Sequence, residues 1–536
     1  MAVRNPSIEE LTDELSRNAG WLESPFEAAA HLESLGINDQ ISHEHYAQPD
    51  VFSLALVIAQ RQRRVDTAQE TAWEEERRRQ KEELDKWEPP GLWSAIPRFF
   101  FRGVAFGLPM AIMIFSILLL LYSLWAYYYF STARATAIGV GTALSYLLAG
   151  GFTQAIGRRG LMYLRQGMFL LCMKVTFFFI AAGVLVTAVV GIILYFFFSA
   201  FPVVLGIEKD LAVVYYFTLS ILWLSLSMLY MLQKELLFSI AIGVGIGVVY
   251  IFREWFGWEI VPAHQVGILS ASAFALISSI VMLAFLHNRS KDPRLPISTK
   301  LPRFTLLIAS VAPYFLFGLL YFVLIFGDRI IAWTGRTDFR QTFIWFQTDY
   351  EVGINWALLG LLPALGAVEY AIYRFSGFVK PQQLQYTVKE AKDFRSWFFA
   401  FYRRSLVLYF VMSIIGAVGA YFFVRWLVQY IPEIAILLND VSVFVFIFGS
   451  IGYSLVAFSL LNVSLFFWLS RPRLAILAII PALLVDFLVG FILSRLVVYY
   501  WAVIGFTLGG IVFAVVSLVL ALRVLTNLDY YYYSSV

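Results

Sequence analysis

From Phe101 onward the chain alternates apolar stretches of about twenty residues with short polar loops, and this pattern persists almost to the last dozen residues. A hydrocarbon core about 30 Å thick takes about 20 helical residues to cross, and charge is costly inside it. The pattern therefore predicts an all-α polytopic membrane protein with about twelve transmembrane helices. They fall at 103–127, 133–155, 171–199, 211–232, 235–252, 265–287, 304–326, 350–372, 405–429, 441–468, 473–494 and 499–522.

The stretch before Phe101 reads differently. Ser7 with Glu10, and Ser24 with Pro25 and Glu27, have the spacing of helix N-caps, and Gly36 is placed to end the second helix. Pro49-Asp50 opens a third segment, Val51–Glu88, apolar at first and then densely charged, with pairs such as Glu74–Arg78 one turn apart. Pro89-Pro90-Gly91 breaks it ahead of the membrane. Residues 1–100 thus form a small helical head and charged stalk, followed by a six-helix half (101–287), a linker (288–303), a second half (304–524) and a tail (525–536). The head is read as an appendage or as a docking site for a cytoplasmic partner through residues 1–88. His43 and His45 are two apart and point in different directions on a helix, so no metal site is expected there.

Composition agrees with a membrane protein: 60% of residues are hydrophobic, 14% are charged, and the mean hydropathy is +0.74. The lone cysteine, Cys172, excludes an internal disulfide. No cleavable signal is visible, so the first span is expected to serve as its own insertion signal. Lys and Arg divide 20 to 8 between alternate loops, so both termini are expected to face the cytoplasm. The net charge of +4 combines a head at −7 with a remainder at +11. That basic surplus follows membrane topology, and no nucleic-acid partner is inferred from it.

The linker splits the spans six and six, giving two halves of equal orientation. Pro109 in the first span and Pro313 in the seventh occupy matching places after Arg102 and Arg303, as candidate hinges. Gln154 and Glu369 are matching polar residues near the inner ends of the second and eighth spans. Between Gln382 and Arg404, Phe394, Trp397, Phe398 and Phe401 recur at helical spacing among Lys392, Arg395, Arg403 and Arg404. That segment is expected to lie at the lipid interface, as an anchor or as a site recognising an anionic lipid-linked substrate.

Together with the string Phe322-Val-Leu-Ile-Phe-Gly-Asp-Arg-Ile-Ile-Ala-Trp333, these features resemble the exopolysaccharide exporters related to the Pel system. Those belong to the superfamily of multidrug, oligosaccharidyl-lipid and polysaccharide exporters. The resemblance spans roughly residues 101–524, and the head is additional to it. It implies alternating access between two bundles around a central cavity, no cofactor, and a glycan or lipid-linked glycan as cargo.

Ionisable groups inside spans are expensive and so are candidates for function. Glu369 and Asp486 are the deepest, each readable as a cavity or coupling carboxylate or as a packed, paired one, and Asn355 and Asn462 add amides. Asp328-Arg329 reads as an interfacial ion pair at the outer end of the seventh span or as part of an outer gate. The sequence has no phosphate-binding Gly-rich loop and no His-Glu-x-x-His motif, and the first external loop, around Phe130–Arg134, carries no acidic residue for a glycosyltransferase. The expectation is therefore a secondary exporter or flippase without catalytic, metal or cofactor-binding residues. With the resemblance, the expected location is a bacterial inner membrane, and the rival reading is a non-transporting membrane scaffold whose head, residues 1–88, recruits a cytoplasmic glycan synthase or regulatory protein.

Overall fold

The computed structural model describes residues 7–19, 25–34, 37–60, 92–204, 206–289, 301, 304–335, 342–372, 391–430 and 438–527. They are helical apart from loops, and among them the only β-type pairing is an isolated bridge between Tyr122 and Tyr127. The chain divides into two compact units, a head and a helical body.

The head contains α1 (Ile8–Ala19), α2 (Pro25–Ser34), α3 (Asp39–Tyr46) and α4 (Val51–Gln60). The expected capping box closes α1: Ser7 N–H donates to Glu10 (2.8 Å) and Glu10 N–H to Ser7 Oγ (3.2 Å). Pro25 is the first residue of α2, as its fixed φ favours, whereas Ser24, Gly36 and the charged run 61–91 lie outside the described residues. Helix α3 is additional to the expectation and is capped by Asn38, whose side chain accepts from Ile41 N–H. Asp50 caps α4 by accepting from Ser53 N–H at 2.7 Å, and this hydrogen bond holds its carboxyl below the usual range. Leu11, Leu15, Leu32, Leu54 and Ile58 close a core of the head's own, while His43 and His45 are exposed.

In the body, α5 (Leu92–Leu120), α6 (Thr132–Arg165), α7 (Phe169–Ala200), α8 (Lys209–Met231), α9 (Glu235–Tyr250) and α10 (Ile260–Arg289) cover the first six expected spans. Then come α11 (Phe304–Thr334), α12 (Thr348–Gly360), α13 (Leu362–Ile372), α14 (Ala391–Val428), α15 (Asp440–Trp468), α16 (Pro472–Leu496) and α17 (Ala502–Thr526). Ten of these helices are long and apolar enough to cross a membrane, or eleven when the bent pair α12–α13 counts as one.

Two expectations are corrected. The apolar run predicts a first span to residue 127, but α5 ends at Leu120. Leu121 turns to φ 64°, and Tyr122 and Leu124 tuck into a core with Leu219, Ile246 and Ala271. The apolar run therefore continues past the helix because the loop itself is buried. The eighth apolar run predicts one helix, yet the span breaks at Leu361 with a bend of 42°. Pro363 explains the break, because it has no N–H to give the carbonyl four residues back. On α14, a Cβ at Gly416 would lie 2.0 Å from the Gly360 oxygen, so the two backbones cross where the helix is broken. By contrast α5 runs unbroken through Pro109, and α11 through Pro313.

Helices α6 and α11 pack along a shared seam. At its middle Gly150 faces Gly318, where an added Cβ would strike the opposite backbone. Small residues are what allow helix backbones to approach so closely in a membrane protein.

Candidate functional site

Helical spacing starts the site. Arg329 and Trp333 are four residues apart on α11, hence on one face, and both reach Glu351 in the first turn of α12. Arg329 Nη1 donates to Glu351 Oε2 at 2.8 Å, and Trp333 Nε1 donates to Oε1 at 3.1 Å. A second guanidinium nitrogen, Nη2, donates to Tyr453 OH (3.1 Å) on α15 and to Asn355 Oδ1 (3.4 Å) on α12. Arg329 and Glu351 are both buried, so their ion pair is desolvated and depends on these added hydrogen bonds.

Asp328 precedes Arg329 by one residue, and about 100° of helical rotation sends it elsewhere. Its Oδ2 accepts from Tyr350 OH at 2.5 Å, while Oδ1 has no hydrogen-bond partner. The expected Asp328-Arg329 pair at the interface is thus corrected. Both residues lie inside the bundle, and the ion pair of Arg329 is with Glu351.

Asp486 on α16 is fully buried, and neither carboxylate oxygen has a hydrogen-bond partner. Its Oδ2 lies where a Cβ on Gly327 would come within 3.0 Å, next to Asp328, and the two carboxylates interact electrostatically. Behind it, Gly505 and Gly509 on α17, four residues apart, let that helix close onto the Asp486 backbone and Cβ. A carboxylate so placed is untenable as a bare charge and must hold a proton or a cation. The site therefore joins one buried ion pair, Arg329–Glu351, to two carboxylates with free oxygens, Asp328 and Asp486.

The other candidates fall elsewhere. Glu369 is half-buried on α13, beside Gly103 of α5, and interacts electrostatically with Tyr230. Eighteen residues separate it from Glu351, about 27 Å of helical rise before the bend. Gln154 packs against Gly318 on the α6–α11 seam. Asn462 is a structural tie, accepting from Tyr402 OH (2.6 Å) and donating to Ser517 Oγ (3.0 Å).

The seam is joined at both ends. Near the basic loops, Arg158 donates to Ser470 Oγ (2.7 Å) and Phe467 O (3.3 Å) and lies over the Tyr314 ring, while Arg159 donates to Ser310 Oγ at 2.8 Å. At the opposite end Phe346 N–H donates to Thr136 Oγ1 (3.0 Å), and Phe343 N–H to Pro202 O (2.8 Å). Between them the Tyr146 ring stacks on Phe322 and Phe326, each at 5.3 Å.

No protein-family model matches the sequence, and no curated protein does either. Solved structures do. A MATE transporter in complex with MaD5 is 15% identical, with 81% of this chain and 96% of that one covered at a TM-score of 0.51. The chain has the fold of the MATE transporters. An outward-facing multidrug-resistance MATE transporter of the MOP superfamily is 13% identical over 83% and 99% of the two chains, at 0.48. A MOP-superfamily transporter from Pyrococcus furiosus, described as having a binding pocket of reversed polarity, is 14% identical over 81% and 96%, at 0.45.

Proposed function

We propose that the chain is a secondary transporter that works by alternating access, and that it exports a polysaccharide or lipid-linked glycan across a bacterial inner membrane. The observation that carries this reading is the Asp328–Asp486 pair. Free carboxylate oxygens at the core of a transporter fold have a use in taking up and releasing a proton or cation as the bundles move. The Arg329–Glu351 pair fixes α11 against α12 beside them, so a change of charge at Asp328 is felt by the helix that forms the seam. The glycan cargo rests on the resemblance to the Pel-related exporters, and the aromatic rings of Tyr146, Phe322 and Phe326 along the seam suit stacking on sugars.

Alternating access requires the Arg158–Ser470 contact to part during each cycle, whereas a scaffold has no such need. Cysteines replacing Arg158 and Ser470, bridged by a reversible bifunctional thiol reagent, should stop export from intact cells, and reduction should restore it. Cys172 is buried and would not interfere. Export unchanged with the bridge in place would sink the transporter reading in favour of the scaffold.

A further inference from the structure

A cleft opens among the ends of four helices: α13 near Ile372, the start of α14, the end of α15 at Trp468 and the end of α17 at Leu525. All four ends belong to the side of the body that bears the basic loops. The cleft holds about 520 Å³ of space, counting the part open to the surroundings. Its walls are Phe398, Tyr402, Leu461, Leu465, Trp468 and Leu525.

The polar atoms along it are already engaged. Tyr402 OH donates to Asn462, Ser464 Oγ to Leu461 O (2.7 Å) and Ser405 Oγ to Phe401 O (3.1 Å). Walls of this kind offer little to a sugar and suit a hydrocarbon chain. The mouth is different. Arg395 stands three residues before Phe398 and seven before Tyr402, so it shares their face of α14. It donates one Nη1 hydrogen bond to Thr526 O (3.1 Å), beside Leu525, and its side chain is otherwise exposed. Exposed Arg403 and Arg404 follow on the same helix, and Trp468, the last residue of α15, lines the cleft.

We propose that this cleft binds an anionic phospholipid of the leaflet facing the basic loops, with one acyl chain between α14 and α15 and its headgroup phosphate on Arg395. The guanidinium keeps donors in the planar fork that phosphate oxygens accept, and a hydrocarbon chain displaces water from an apolar wall. Such a lipid would extend the contact of α14 with α15 toward the end of α14 that faces the basic loops, beyond the Ser413–Ser454 hydrogen bond (2.6 Å).

The test uses the purified full chain titrated with phosphatidylglycerol and, separately, phosphatidylcholine, with bound lipid counted by native mass spectrometry. Wild type should retain phosphatidylglycerol in preference. Arg395→Gln should weaken its retention about tenfold and remove the preference, while Arg395→Lys should keep part of it. Ser464→Phe, which fills the cleft and strands no partner because the hydroxyl bonds only within its own helix, should abolish retention of both lipids. Thermal midpoints in phosphatidylcholine should match wild type for a variant to count, and Ser464→Phe decides the matter if Arg395→Gln does not fold. Undiminished retention in Ser464→Phe, or equal binding of the two lipids by wild type, would overturn the proposal.

Discussion

Two substitutions in the buried cluster should act in opposite ways, and both can be measured before any cargo is known. Arg329→Gln removes the cation that faces Glu351 at 2.8 Å, leaving that carboxylate buried with Trp333 as its remaining donor. Breaking a buried pair from one side costs about 3–5 kcal/mol. At about 2 °C per kcal/mol, this lowers the thermal midpoint by roughly 6–10 °C. Asp486→Asn removes no partner, because neither oxygen has one. It swaps a group that requires a proton or cation for a neutral amide of the same size, at a cost of about 1–3 kcal/mol or less. The decisive quantity is the dependence of the midpoint on pH and on sodium, potassium or choline chloride at constant ionic strength. Wild type should respond to one of these ions, Asp486→Asn should lose much of that response, and Arg329→Gln should be low under every condition. A fall in Asp486→Asn as deep as in Arg329→Gln, or an undiminished ion response, would refute the assignment of a free, ion-loading carboxylate.

Two further outcomes follow from packing. Gly416→Ala places a methyl 2.0 Å from the Gly360 oxygen, so it should cost about 1–3 kcal/mol or more, read as reduced folded yield in detergent, whereas Gly419→Ala meets nothing within 4 Å and should be neutral or slightly stabilising. In the head, Leu32→Ala opens a fully buried position at a cost of about 2–5 kcal/mol, and it should speed tryptic cleavage at Arg17 without changing the amount of protein in the membrane.

The spans were legible because a bilayer imposes one length and one polarity on whatever crosses it, and α6 to α11 and α14 to α17 lie where the apolar runs place them. Hydropathy could not show where a helix stops inside an apolar run. Tyr122 and Leu124 are as apolar in their loop as they would be in α5, and only the turn at Leu121 distinguishes the two. Pro363 carried the signal for the break in the eighth span, yet Pro109 and Pro313 carry the same signal in helices that continue, because tertiary contacts decide whether a freed carbonyl is tolerated. In the head, the capping box at Ser7 was legible from four residues, while α3 depends on Asn38, a cap whose short helix has little apolar periodicity.

For the site, the cost of charge in lipid singled out Asp486, Asp328, Arg329 and Asn355, and the structure gathers all four. Their pairing was not legible. Adjacent residues suggest an ion pair in a linear chain, but a helix turns Asp328 toward Tyr350 and Arg329 toward Glu351. Glu351 gives no such signal, because it stands at the edge of its span, where a carboxylate ordinarily reaches water. Here the loop before it folds back, with Trp345 N–H donating to Trp333 O at 2.9 Å, and Glu351 is left buried. Elsewhere in the body, Tyr215 OH on α8 and His264 Nδ1 on α10 lie 2.7 Å apart, a buried polar pair without a carboxylate. If transport is coupled as proposed, the ion acts through α11 and α16, and the first half responds through the α6–α11 seam at Gly150 and Gly318. A substitution that widens that seam, such as Gly318→Ala, should then impair export while leaving the ion response of the thermal midpoint in place. Loss of both together would mean that ion loading and bundle movement are not separable steps.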